Sequence, residues 1–132
     1  MRKFMRLSPV LLLGLVLTGC VSTTVTRLTP QHVSRSHDNM YPVEVAFEST
    51  QQSLRWETLS ATVFVGNQEF IMTRTPMMTN RWETLIPVPA GTKNIEYRVK
   101  FTFDYNAFGV PPQEDTALSK IYKLQILDNQ DN

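Results

Sequence analysis

Three sets of residues in this 132-residue chain have side chains able to do chemistry. The first is Cys20, the single cysteine, preceded by Leu17, Thr18 and Gly19. One cysteine excludes an internal disulfide and any zinc cluster built on several thiolates. Its thiol is instead free to take a thioether-linked lipid, and the small side chains of Thr18 and Gly19 let an extended chain enter a peptidase site. The second set is His32 and His37, five residues apart, with Asp38 beside the second. Two imidazoles on a polar stretch fall short of the ligand set that zinc takes, so they read as solvated and no metal is assigned. The third set is Glu114 and Asp115, which follow Pro111 and Pro112 in an expected loop. A glycosidase pair acts from two separated, opposed positions, so adjacent loop acids read as solvated. Beyond residue 40 the chain holds no His and no Cys, which removes Ser-His and Cys-His nucleophile pairs. No phosphate loop, dinucleotide glycine pattern or calcium loop is present. The expectation is a non-enzyme with no catalytic residue and no cofactor.

The segment that delivers Cys20 has a basic start at Arg2, Lys3 and Arg6, then an apolar stretch over residues 7–17 broken only by Ser8, Pro9 and Gly14. As a helix those eleven residues would rise about 16 Å, about half of a 30 Å hydrocarbon core, so the stretch is too short for a comfortable span. With Leu17, Thr18, Gly19 and Cys20 closing it, the segment resembles the bacterial lipoprotein signal peptide and its lipobox. That resemblance implies diacylglyceryl transfer to Cys20, peptidase recognition through Leu17, Thr18 and Gly19, cleavage before Cys20, and acylation of the new amino group. Two or three acyl chains, at about 0.8 kcal/mol per buried methylene, hold a small domain almost permanently where a single myristoyl chain holds it only marginally. In the Gram-negative sorting pattern an Asp after the lipidated cysteine favours retention at the inner membrane. Val21 departs from that signal, so the expected destination is the cell envelope, and the outer membrane in a Gram-negative host.

Removing residues 1–19 leaves 132 − 19 = 113 residues and takes the formal charge from 13 − 12 = +1 to 10 − 12 = −2. A slightly acidic chain with no Lys/Arg run lacks the footprint of phosphate-backbone binding, and nucleic acid is not an expected partner. Residues 20–40 are rich in Ser and Thr, with one proline and no sustained apolar period, a linker composition. As a flexible coil, twenty such residues reach roughly 25 Å, enough to lift a domain clear of lipid headgroups.

After residue 40 the period becomes two. Val43, Val45 and Phe47 alternate with polar or small neighbours over residues 41–49, and Leu59, Ala61, Val63 and Val65 share a face over residues 55–65. Gly66-Asn67 supplies a tight turn. Further strands are expected at residues 68–73 with Phe70 and Met72 inward, at 81–88 with Trp82, Ile86 and Val88 inward, and at 119–127 with Tyr122, Leu124 and Ile126 inward. The clearest is 94–106, where Ile95, Tyr97, Val99, Phe101, Phe103 and Tyr105 all fall on one side. Six or so short strands over about 90 residues, with no useful helical period, predict an all-β fold, an immunoglobulin-like antiparallel β-sandwich over residues 41–132. A small closed barrel is the alternative architecture. With no disulfide available, the aromatic column from Tyr97 to Tyr105 would take the cross-sheet position.

The run Arg81-Trp82-Glu83-Thr84-Leu85-Ile86-Pro87-Val88-Pro89-Ala90-Gly91, followed by Tyr97-Arg98-Val99-Lys100-Phe101, is similar to the Trp, Pro-x-Gly, Tyr-x-x-Lys-Phe run of starch- and glycogen-binding immunoglobulin-like modules. It covers about 21 residues, implies the same sandwich, and carries over no sugar-contacting residue. Candidate surface residues come from the strand phase. Trp56 and Phe64 are out of step with their strand's inward set, Leu85 is opposite Trp82, and Phe108 precedes Gly109 in the stiff Pro-Pro loop. Against a surface role stand a β-bulge that turns Trp56 back inward or a tether that covers it, the favoured reading for that residue, and a Phe108 that caps the open end of the sandwich. The reading is a lipid-anchored, non-catalytic envelope lipoprotein acting as a protein-interaction or structural module. It meets the membrane through Cys20 and a protein partner through its surface; a surface α-glucan-binding module is the alternative.

Overall fold

A computed structural model describes residues 22–128, and the period-two segments pair there into ten strands. They are β1 (Thr23–Arg27), β2 (His32–Ser34), β3 (Met40–Ser49), β4 (Leu54–Val65), β5 (Gln68–Ile71), β6 (Thr73–Arg74), β7 (Arg81–Pro87), β8 (Asn94–Tyr105), β9 (Gln113–Leu118) and β10 (Tyr122–Leu127). One sheet runs β1-β3-β7-β6 and the other β2-β10-β8-β4-β5, with β9 also paired to β8. Along one side of β8, β10 covers Asn94 to Tyr97 and β9 covers Lys100 to Tyr105, while β4 takes the other side. This is the immunoglobulin-like sandwich, with the first strand shared between the two sheets as β1 and β2. The signal segment with Leu17, Thr18, Gly19 and Cys20 lies outside the described residues.

The core forms where the inward sets of the two sheets meet. Val43, Val45 and Phe47 of β3 and Trp82 and Ile86 of β7 face Ala61 and Val63 of β4, Tyr97, Val99, Phe101 and Phe103 of β8, and Tyr122, Leu124 and Ile126 of β10, all buried. Phe47 of one sheet and Phe101 of the other lie 4.7 Å apart between ring centroids, and Trp82 meets Phe101 edge-on at 5.2 Å. The cross-sheet position thus falls to the aromatic column, as its alternation implies, with Phe101 and, at 6.0 Å from Phe47, Phe103 as the contacting members.

Residues 23–40 correct the expected tether. β1 pairs antiparallel with β3 over five residues, and β2 pairs parallel with β10. Thr29, buried between them, accepts the Glu44 N–H at 2.7 Å on its hydroxyl. The folded domain therefore begins at Thr23 and not at Tyr41. Composition misleads here because an outer strand needs few inward apolar residues. Val25 and Val33 suffice, packed against the core, and Ser and Thr suit a pleated, half-wet surface.

Two further expectations are corrected. Glu114 and Asp115 are not in a loop but in β9, exposed, opposite Asp104 and Phe103 of β8. The expected strand over residues 68–73 divides at buried Met72. β5 stays with β4 while β6 joins the other sheet, and the Met72 N–H donates to the Ala61 carbonyl at 2.9 Å. A smaller break separates β9 from β10, where Ser119 is buried. Its N–H donates to the Val99 carbonyl at 2.8 Å, and its hydroxyl accepts the Val99 N–H at 2.9 Å, so a side chain completes the ladder at the break.

Candidate binding surface

The structure separates the four surface candidates. Trp56 lies in a bulge of β4, where the register with β8 jumps between Arg55 and Ser60. Thr58 bridges the bulge, its hydroxyl donating to the Arg55 carbonyl at 2.6 Å and accepting the Asp104 N–H at 2.8 Å. The extra residues rotate Trp56 toward the sandwich, so its ring meets Phe47 edge-on at 5.8 Å and remains 38% exposed. Leu85 is exposed on the outer face of the four-stranded sheet, opposite Pro42 and beside Glu83 and Thr84. Phe108 is fully exposed at the tip of the β8–β9 hairpin, so it does not cap the core. Only Phe64 belongs to a larger surface, the outer face of the sheet containing β8.

That face is built by cross-strand register. Leu118 of β9 is opposite Lys100 of β8, Lys100 is opposite Thr62 of β4, and Thr62 is opposite Ile71 of β5. Directly opposed residues share a face, so the four form one row about 14 Å long across three strand spacings. Leu118 and Ile71 are both exposed at its ends. The neighbouring row sets Phe64 opposite Arg98, and Ile121 joins them around a shallow hollow lined also by Gly66 and Glu96. In that hollow Arg98 donates from Nη2 to the Ser119 carbonyl at 3.1 Å, while its Nε is buried without an acceptor. The face thus offers aliphatic ends around an Arg-Lys centre. Ile121 lies just before β10, outside the strands, while Leu118 and Ile71 escape a sequence reading because β9 reads as loop and β5 as continuous with β6. Once paired, their outward phase is plain.

His32 stands at the margin of this same sheet, opposite Gln125 of β10 and next to inward Val33, while His37 lies outside the strands. His32 is exposed on β2, and His37 is exposed in the turn before β3. Asp38 accepts the Ser36 hydroxyl and the Met40 N–H, which hold its carboxyl below the usual carboxylate value. It closes a local turn with them. Among the described residues no three His, Cys, Asp or Glu side chains gather in a metal-binding group. The ring pairs involve Phe47, Trp56, Trp82, Phe101, Phe103, Tyr97 and Tyr122, so Trp56 and Phe108 do not form the exposed aromatic pair that an α-glucan site asks for.

No protein-family model and no curated protein matches the sequence. Among solved structures, the chain is similar to murine CRIg at 7% identity and a TM-score of 0.43, over 83% of this chain and 99% of that one. The strand order described above carries the fold assignment by itself.

Proposed function

We propose that the protein is a lipid-anchored, non-catalytic module of the bacterial cell envelope that binds a protein partner through the outer face of its β8-containing sheet. The lipid anchor rests on the resemblance of residues 1–20 to a lipoprotein signal peptide, with Cys20 as the acylated residue and Val21 compatible with the outer membrane. The binding function rests on the row Leu118-Lys100-Thr62-Ile71 with Ile121 and Phe64 beside it. Exposed aliphatic groups around cationic centres, on a rigid sheet, suit a protein surface with an apolar patch and acceptor groups for Arg98 and Lys100. A flat sheet face of this kind grips a protein better than a sugar chain, which asks for stacked rings beside a groove.

Photo-crosslinking in the native envelope tests this reading. A benzophenone amino acid at Leu118 is expected to yield a discrete protein adduct, and the same group at Leu85, on the opposite outer face, is expected to yield none. Equal adducts from both positions, or none from Leu118 and Ile71, would overturn the assignment of the face. Retention of the protein on insoluble α-glucan, abolished by Trp56→Ala, would overturn it in favour of a glycan.

A further inference from the structure

The paired β1 strand places Ser22, and with it the chain that leads back to Cys20, at one particular end of the sandwich. Ser22 is tied to the β3–β4 loop, the Thr50 N–H donating to the Ser22 carbonyl at 2.9 Å and the Ser22 N–H to the Thr50 hydroxyl at 2.8 Å. The Asn106 N–H donates to the Ser53 carbonyl at 2.8 Å, which sets the β8–β9 loop beside the same β3–β4 loop. The β6–β7 loop reaches this end too, since the Phe47 N–H, near the end of β3, donates to the Asn80 carbonyl. Cys20 is two residues from Ser22, so at about 3.6 Å per residue its backbone is confined to within about 7 Å of it.

The loops of this end carry apolar side chains at their tips and no charged residue. Phe108 at 106% and Met77 at 102% of their reference exposure are the two most exposed large apolar residues among those described, and both occupy its loops, with Val110 and Met78 beside them. The three loops at this end, residues 49–54, 75–80 and 105–113, contain no Asp, Glu, Lys or Arg, and charged residues begin only at their roots, with Glu48 and Arg55, Arg74 and Arg81, and Asp104 and Glu114. The opposite end, at residues 35–39, 88–93 and 128, holds Arg35, Asp38, Lys93 and Asp128. The tip is also stiff. Gly109 takes φ 75° and Met77 φ 64°, Pro111 and Pro112 follow, and Gln113 Nε2 donates to the Pro111 carbonyl at 2.9 Å. Little freedom is left to lose when the tip meets another phase.

We propose that this end is a lipid-contact surface, in which Phe108 and Met77 enter the headgroup and acyl boundary of the membrane that holds Cys20. The inference rests on the lipid-anchor reading above. It fixes the domain upright on the bilayer, with no free tether beneath it, and turns the outer faces of both sheets sideways, toward neighbours in the same envelope layer. Residues entering an interface typically reach about 5–10 Å below the headgroups, a depth that a hairpin tip can supply. Because the loops that enter the boundary carry no cation, the contact is apolar and insensitive to salt.

The test uses the acylated full-length product in vesicles of phosphatidylethanolamine and phosphatidylglycerol. Phe108→Cys and Met77→Cys are labelled with a polarity-sensitive fluorophore; the sulfur of Cys20, held in a thioether, does not compete for label. Asn67→Cys, in the β4–β5 turn at the far end, is the control. The expected result is a blue-shifted emission quenched by doxyl lipids at positions 108 and 77, unchanged by added salt, with neither effect at 67. Unquenched labels at 108 and 77 on a protein whose mass shows acylated Cys20 would overturn the lipid contact and leave the anchor standing. A mass without acyl chains would overturn both. Protection of 108 and 77 only when other envelope proteins are present would overturn the inference in favour of a protein partner at this end.

Discussion

Ser22 and Thr50 exchange two hydrogen bonds, one from each backbone N–H, so the first described residue is fastened to the β3–β4 loop. Under the proposed lipid anchor on Cys20, this pair makes the attachment an orienting one, because Ser22 leads directly into a strand paired with β3.

Thr50→Val removes the hydroxyl that accepts the Ser22 N–H while keeping a β-branched shape. The expected outcome is a loss of about 1 kcal/mol or less in global stability, as for an exposed hydrogen bond, together with faster amide exchange at residues 22–24. Denaturant melts and hydrogen exchange of the wild type and variant measure both. Unchanged exchange would show that β1 is held by its ladder alone.

Ser119→Ala is expected to be costlier, because the Val99 N–H that it leaves without an acceptor lies in the buried ladder. A loss of about 1–3 kcal/mol is anticipated in a denaturant titration, with the Val99 amide as the most strongly deprotected in exchange. Ser119→Thr retains the hydroxyl and separates a lost bond from a disturbed break between β9 and β10.

Arg35 and Asp128 form an ion pair between the segment after β2 and the end of β10, and this hydrogen bond is the main reason that the Asp128 carboxyl is held below its ordinary value of 3.8. A carboxyl whose folded pKa is depressed contributes stability above its unfolded pKa and loses it as the pH falls through the folded value. Stability of the wild type should therefore exceed that of Asp128→Asn at neutral pH, by a small margin since the pair is open to solvent, and the two should converge at acid pH. Salt should narrow the neutral-pH difference. Acid titration of thermal midpoints for both proteins checks the sign.

The strands that bury a full face were legible from alternation alone, since the six inward residues of β8 and the Val43, Val45 and Phe47 set of β3 leave no other period open. The strands that bury little were not. β1 and β2 contribute Val25 and Val33 to the core, and β9 only Ala117. Their evidence is the backbone ladder, which composition does not record. The same blindness hid the candidate surface, because Leu118 and Ile71 become neighbours of Lys100 and Thr62 only after β5 and β9 are placed. Phe108 was legible as an exposed aromatic, but its position at the same end as Ser22 depends on bonds from Thr50 and Asn106 that link distant segments. Trp56 shows the reverse case, since its out-of-phase position is real and the bulge at Thr58 returns part of its ring to Phe47.

The central claim is that Cys20 anchors this domain to a bilayer, and the mass of the mature N-terminal peptide tests it most directly. The account predicts a peptide beginning at Cys20 that carries a diacylglyceryl thioether, with its palmitate labelling and membrane retention abolished by Cys20→Ala. A mature N-terminus elsewhere, or a Cys20 recovered as a free thiol from membrane-bound protein, would contradict it.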